Sequence, residues 1–190
     1  MTGARLVLAS ASPQRRAILE QIGVRFEVVV PDIEESTEGK PGDLVVDNAM
    51  RKAEAVASSV AAGVFVIAAD TLVVKDGRPL GKPRDIAEAE RFLRCLSGDE
   101  HEVVSGVAVA DRHGVEAFNE WTEVTFRELD GPTLHWYLDS GEWEGRAGGY
   151  AIQGKGAALV ERIEGDYLNV VGLPLAKLLR LKPSLPLFHR

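Results

Sequence analysis

Val64-Phe65-Val66-Ile67-Ala68-Ala69-Asp70-Thr71-Leu72-Val73-Val74 is the stretch on which the fold turns. From Val64 to Ala69 the chain is apolar without interruption, as expected of a central strand covered on both faces. Asp70 then breaks the run. A carboxylate emerging from the end of a buried strand is costly unless a partner or a metal meets it, and strand ends are where α/β folds place ligand sites. Leu72–Val74 carries the strand on to a turn at Asp76-Gly77. The alternative for Asp70 is a turn aspartate that caps its own backbone.

Upstream, Leu44 to Ala62 repeats apolar or small residues at Val45, Ala49, Ala53, Val56 and Val60, the spacing of one helical face. The acidic segment Asp32–Glu38 precedes it as a loop closed by Gly39, Pro41 and Gly42. Arg5–Ala9 and Phe26–Val30 read as strands. Between them Ser12-Pro13 has the form of an N-cap and first helical residue, with Ala17, Ile18, Leu19 and Ile22 on one face and Gly23 at the end.

Downstream, Asp85 followed by Glu88 resembles a capping box opening a helix over Ile86–Leu96. Val103–Ala110 and Val115–Phe126 read as long strands joined by a turn at Asp111 to Gly114. A helix over Leu129–Leu138, a glycine-rich stretch from Gly141 to Gly156, a strand over Ala158–Ile163 and a helix over Pro174–Leu181 follow. Strands alternating with helices predict the α/β class: a single domain with a long mixed sheet and two lobes around a cleft. The domain is expected over residues 1–183, with 184–190 as a C-terminal tail.

The 190 residues carry a formal net charge of −7. Such a chain is a poor non-specific binder of nucleic acid, although a few converging cations can still hold a small polyphosphate. No run approaches the roughly 20 apolar residues of a membrane span. Met1 to Val7 lacks a signal-peptide pattern, and the lone Cys95 excludes an internal disulfide, so a reducing cytoplasm is expected. Within its helical run Cys95 reads as a small buried side chain.

Several side chains could carry chemistry. Arg15 and Arg16 fall in the first turn of the first helix, where cations are mildly unfavourable unless an anion is held there; otherwise they are a solvated pair. Lys52 lies at helical spacing from Ala49, Ala53 and Val56, so it either snorkels at the core edge or points its ammonium at a phosphate. Lys82 sits in the rigid turn Gly81-Lys82-Pro83. Either Glu34 or Glu35 could join Asp70 around a hard cation. His101 reads as a structural hydrogen-bonding residue, and no histidine–cysteine spacing suggests zinc. This inventory of cations, carboxylates and a glycine-rich loop suits cleavage of a polyphosphate, where positioning and charge neutralisation do most of the catalysis. A Walker loop is absent.

Ser10-Ala11-Ser12-Pro13-Gln14-Arg15-Arg16, Ala69-Asp70-Thr71, Gly81-Lys82-Pro83, Ser97-Gly98 with His101, Ala147 through Gly154, and Gly165-Asp166-Tyr167 through Val171-Gly172-Leu173-Pro174 together resemble the Maf family, in order and over nearly the whole chain. The resemblance implies a fold related to the inosine-triphosphate pyrophosphatases and a nucleotide pyrophosphatase activity assisted by Mg²⁺ or Mn²⁺. It implies Asp70 as proton acceptor, and Arg15, Arg16, Lys52 and Lys82 as phosphate-binding cations. It further implies Glu34 with Asp70 at the metal, and Ser12, Gln14, Thr71 and Gln153 at the substrate. Family members are often homodimers. Gln14 stands where many members carry arginine. The branch acting on 7-methyl-GTP commonly has an aromatic residue there, so dTTP and UTP are the expected substrates. The alternatives are a pyrophosphatase of 7-methyl-GTP or damaged purine nucleotides, and a non-catalytic nucleotide-binding regulator of cell division.

Overall fold

A computed structural model describes residues 6–186. The strands are β1 (Leu6–Ala9), β2 (Glu27–Val28), β3 (Phe65–Lys75), β4 (Arg78–Leu80), β5 (Glu100–Asp111), β6 (Gly114–Phe126) and β7 (Val160–Glu164). The helices are α1 (Pro13–Gln21), α2 (Pro41–Ala57), α3 (Ile86–Leu96), α4 (Gly131–Leu138), α5 (Tyr167–Val171) and α6 (Leu175–Leu181). The strands form one seven-stranded sheet in the order β2-β1-β3-β5-β6-β7, with β4 paired to β3. β1 runs parallel to β2 and β3, while β3–β4 and β6–β7 are antiparallel. The expected α/β class and long mixed sheet are the ones observed.

The decisive stretch is a single strand. β3 continues through Asp70 and Thr71 to Lys75, so the carboxylate interrupts the apolar run without interrupting the backbone ladder. Val66 to Ala69 are fully buried. Phe26–Val30 shrinks to the two residues of β2, both exposed. Arg5 lies outside the described residues. Helix α2 starts earlier than expected, because Pro41 takes the first helical position, where its missing N–H costs nothing. α2 also ends earlier, at Ala57. Asp85 caps α3 as expected, accepting from the Glu88 amide at 2.7 Å. Glu88 reaches back to the Arg84 amide, one residue before the cap. Cys95 is exposed, contrary to expectation. α3 buries the stripe Ala89, Leu93 and Leu96, and Cys95 falls off it.

By its internal contacts the chain divides into two compact units. Among the described residues the first comprises 6–70, 105–120 and 172–186, and the second 71–104 and 121–171. In the first, α2 lays Ala49, Ala53 and Val56 on a sheet face built from Val7, Ala9, Val66, Ala68, Ala108 and Ala110. Small side chains on both surfaces let helix and strands approach closely. Gly106 marks the tightest contact: a Cβ there would stand 2.2 Å from the Val45 carbonyl oxygen. The second unit packs larger residues, among them Leu93, Leu96, Phe126, Leu134, Tyr137 and Leu159.

Candidate active site

The first unit gathers charge around the end of the apolar half of β3. Asp70 is 9% exposed. Its Oδ1 accepts from Lys52 Nζ at 2.9 Å and its Oδ2 from the Asn48 side-chain amide at 3.0 Å. Lys52 and Asn48 stand one helical turn apart on α2, beside the alanines that press the helix on the sheet. Lys52 is therefore buried along with its face, and its ammonium emerges at Asp70. It also donates to the Ala69 carbonyl at 3.4 Å and meets Glu35 at 2.7 Å. Lys52 therefore does not snorkel to solvent: its ammonium is buried against two carboxylates.

Arg15 is buried on α1. Its Nε donates to the Gly172 carbonyl at 2.8 Å, and its Nη1 to Ala69 O at 2.8 Å and Ser10 Oγ at 3.1 Å. It thereby ties the exit of β1 to the residue before Asp70. Burial pulls the guanidinium below its usual range, against the opposing fields of Asp70 and Glu35. Two cations and two carboxylates thus neutralise each other in a confined volume, which limits the desolvation cost of each. The acid that the acidic segment brings to this cluster is Glu35. Glu34, the residue named by the resemblance, is exposed. Asn48 was not legible as a site residue. The one available signal is its position four residues before Lys52 on the Val45/Ala49/Ala53 face.

The other candidates around α1 are less enclosed. Ser12 caps the helix, accepting from the Arg15 amide at 3.5 Å, and donates to Gln14 Oε1 at 3.1 Å. Arg16 is exposed and paired with Glu20 at 2.7 Å. An exposed pair of this kind is weak and can be exchanged for a phosphate.

Thr71, Lys82 and Gln153 belong to the second unit. Thr71 is half-buried on β3, and Lys82 and Gln153 are exposed. The turn carrying Lys82 is fixed to the glycine-rich stretch by Gly148 N–H, which donates to Gly81 O at 3.0 Å. Gly148 has φ +67°, and a Cβ there would lie 2.8 Å from Val73 Cγ2, so neither conformation nor space admits another residue. Gln153 follows the buried Tyr150-Ala151-Ile152. That segment is held by the Ala151 amide, which donates to Tyr137 Oη at 3.0 Å, and by a 2.8 Å bond between Tyr150 Oη and His101 Nε2. His101 packs edge-on against Phe126 and Tyr150, and burial, helped by Lys75, pushes its pKa down to about 4. It is a neutral structural histidine, as expected.

Asp70 and Glu35 offer only carboxylate oxygens, the donor chemistry that Mg²⁺ and Mn²⁺ favour. No group of three or more His, Cys, Asp or Glu gathers among the described residues. A cation held here would complete its shell with water and phosphate oxygens, as Mg²⁺ usually does.

A family model for Maf-like proteins matches residues 5–183. A Bacillus cytotoxicus protein named dTTP/UTP pyrophosphatase is 47% identical over 178 residues, covering 93% of each chain. A protein of the same name from Caldanaerobacter subterraneus is 47% identical over 182 residues, covering 93% of this chain and 87% of that one. Among solved structures, the Staphylococcus aureus Ham1 protein is similar at 18% identity with a TM-score of 0.47, covering 64% of this chain and 71% of its own.

Proposed function

The chain belongs to the Maf family, and from that premise we propose that it hydrolyses dTTP and UTP to the nucleoside monophosphate and pyrophosphate. The observation that carries the reading is Asp70, a buried carboxylate held on one oxygen by Lys52 and on the other by Asn48. A site for binding an anion gains nothing from such a group. A site that must take a proton from water does.

Water attacks the α-phosphorus. Its oxygen forms the new P–O bond while the bond from that phosphorus to the α–β bridging oxygen breaks, and the bridging oxygen leaves with pyrophosphate. Asp70 accepts the proton of the attacking water and later passes it to solvent. A carboxylate has about four lone-pair sites. Lys52 and Asn48 occupy one on each oxygen, so acceptor capacity remains. The Lys52 ammonium also offsets the charge that Asp70 carries into the buried strand. Arg15 fixes the Ala69 carbonyl and so the direction in which Asp70 leaves the strand. Lys82 and Arg16 neutralise the phosphate chain, and Ser12, Gln14 and Thr71 line the substrate. Gln153 reads the base, since its amide can both accept from N3–H and donate to O4 of uracil or thymine.

A divalent cation, Mg²⁺ or Mn²⁺, would be held by Asp70 with Glu35, or with Glu34 beside it. When bound it neutralises charge on the phosphate oxygens. The reaction takes place in the cytoplasm on free nucleotides, a reading that the lone Cys95 supports. Among the described residues no helix is long and apolar enough to cross a membrane.

The test is a panel of dTTP, UTP, CTP, dITP and 7-methyl-GTP, with pyrophosphate and monophosphate quantified, in Mg²⁺, in Mn²⁺ and in EDTA. Fastest release of pyrophosphate from dTTP and UTP is expected, abolished by EDTA and restored by either metal. Faster cleavage of 7-methyl-GTP or dITP would overturn the substrate assignment. Release of orthophosphate in place of pyrophosphate would overturn attack at the α-phosphorus, and full activity in EDTA would remove the metal.

A further inference from the structure

Asn48 is 2% exposed and every polar atom of its side chain is engaged. Its Oδ1 accepts from the Ser36 amide at 2.8 Å, and its Nδ2 donates to the Ser36 carbonyl at 3.0 Å and to Asp70 Oδ2 at 3.0 Å. The network fixes the orientation of the amide. Flipped, its oxygen would face a carbonyl and a carboxylate, and its nitrogen would face an N–H. One side chain therefore takes both backbone groups of Ser36 as a neighbouring strand would, and with its remaining proton grips the catalytic carboxylate.

The segment so held is irregular. Residues 29–40 form neither helix nor strand, and 34–40 are exposed. Glu35, in the same segment, meets Lys52 at 2.7 Å. Loops with few buried contacts open locally at low cost.

We infer that Asn48 is a positioning residue of the reaction proposed above, on which this inference rests. Its amide clamps the acidic segment to Asp70 and so keeps Glu35 seated at Lys52 beside that carboxylate. Opening it frees the Asp70 carboxylate to rotate about its Cβ–Cγ bond and lets Glu35 leave the ammonium. Both effects fall on the chemical step. Neither removes a group that binds the phosphate chain.

The experiment compares wild type, Asn48→Ala, Glu35→Gln, the double variant and Ser36→Pro in steady-state cleavage of dTTP with Mg²⁺. Hydrogen exchange of the Ser36 amide is followed in wild type and Asn48→Ala. Ser36→Pro removes the donated N–H from an exposed position and leaves the core untouched. Asn48→Ala is expected to lower kcat about 10- to 100-fold with KM within about threefold, the split of an interaction used in the transition state. Because Asn48 works through the segment, the double variant should fall no more than about threefold below the worse single one. Ser36→Pro should lower kcat in the same way. In wild type the Ser36 amide should exchange at least roughly tenfold more slowly than those of Thr37 and Glu38, and Asn48→Ala should erase that protection. Unchanged kcat in Asn48→Ala or Ser36→Pro, losses that multiply in the double variant, or an unprotected Ser36 amide in wild type would each overturn the clamp. If Asn48→Ala does not fold, Ser36→Pro and exchange in wild type decide. A wild-type protein that releases no pyrophosphate from dTTP would instead defeat the proposed activity, a result separate from these.

Discussion

Asp70→Asn isolates the carboxylate charge with almost no change of shape. Asp70 accepts one bond from an ammonium and one from an amide N–H. An asparagine can present its oxygen to only one of those donors and must turn its own NH₂ toward the other. One charge-assisted bond becomes a weaker one, and the second becomes a donor facing a donor. A bond to a charged group contributes about 1.5–3 kcal/mol, and baring a buried charge costs roughly 3–5 kcal/mol. Lys52 is not bared, since Glu35 stays within 2.7 Å of it. The loss of stability is therefore about 2–3 kcal/mol, or roughly 5–10 °C in Tm for a chain of this size. Turnover should fall further, by about 100-fold to 10,000-fold, the range for losing a general base. The assays are pyrophosphate release at saturating dTTP and a melt of the same preparation. A folded Asp70→Asn protein that keeps turnover within tenfold of wild type would refute the assignment of Asp70 as proton acceptor.

Three other outcomes are expected. Gly106→Ala should cost roughly 3 kcal/mol or more, because the new methyl meets Val45 backbone and not a movable side chain; a urea midpoint unchanged from wild type would show that α2 can lift off β5. Acid should destabilise the second unit through His101, whose pKa drops from the ordinary 6.5 to about 4. Between those values the unfolded chain binds the proton and the folded one does not, so stability is intact above pH 6.5 and falls by at most about 3 kcal/mol as pH drops to 4. Urea unfolding at a series of pH values checks this, and His101→Gln losing stability in parallel with wild type would count against it. Gln153→Leu should shrink the preference for UTP over CTP and not merely the rate, because the preference depends on a polar edge that leucine cannot match; an unchanged kcat/KM ratio for the two would remove Gln153 from base reading.

Much of this protein was legible in one dimension. Periodicity in the sequence sufficed for α2, the Asp85-to-Glu88 capping signature for α3, and the uninterrupted apolar run for β3. It also marked Asp70 and Lys52, because a carboxylate ending a buried strand and a lysine on an apolar helical face each break a local rule that only a partner can satisfy. Burial of a single side chain was less secure. Cys95 sits one position off the α3 stripe, a rotation of about 100° that no composition argument detects. What tertiary structure alone decided were contacts between residues far apart in the chain. Adjacent Glu34 and Glu35 carry the same chemistry, and only the path of an irregular segment over α2 selects Glu35 for Lys52. Arg15 reads as a first-turn cation that either meets an anion or is solvated, and only packing of α1 beside β1 and β3 turns its guanidinium onto the carbonyls of Ala69 and Gly172. Asn48 gave almost no signal, because an asparagine amide shows its purpose only once its acceptors and donors, Ser36 and Asp70, have been brought to it from either side in the sequence. Local patterns fix which face of an element is buried. Which polar groups meet there depends on how the elements pack, and that is a property of the fold as a whole.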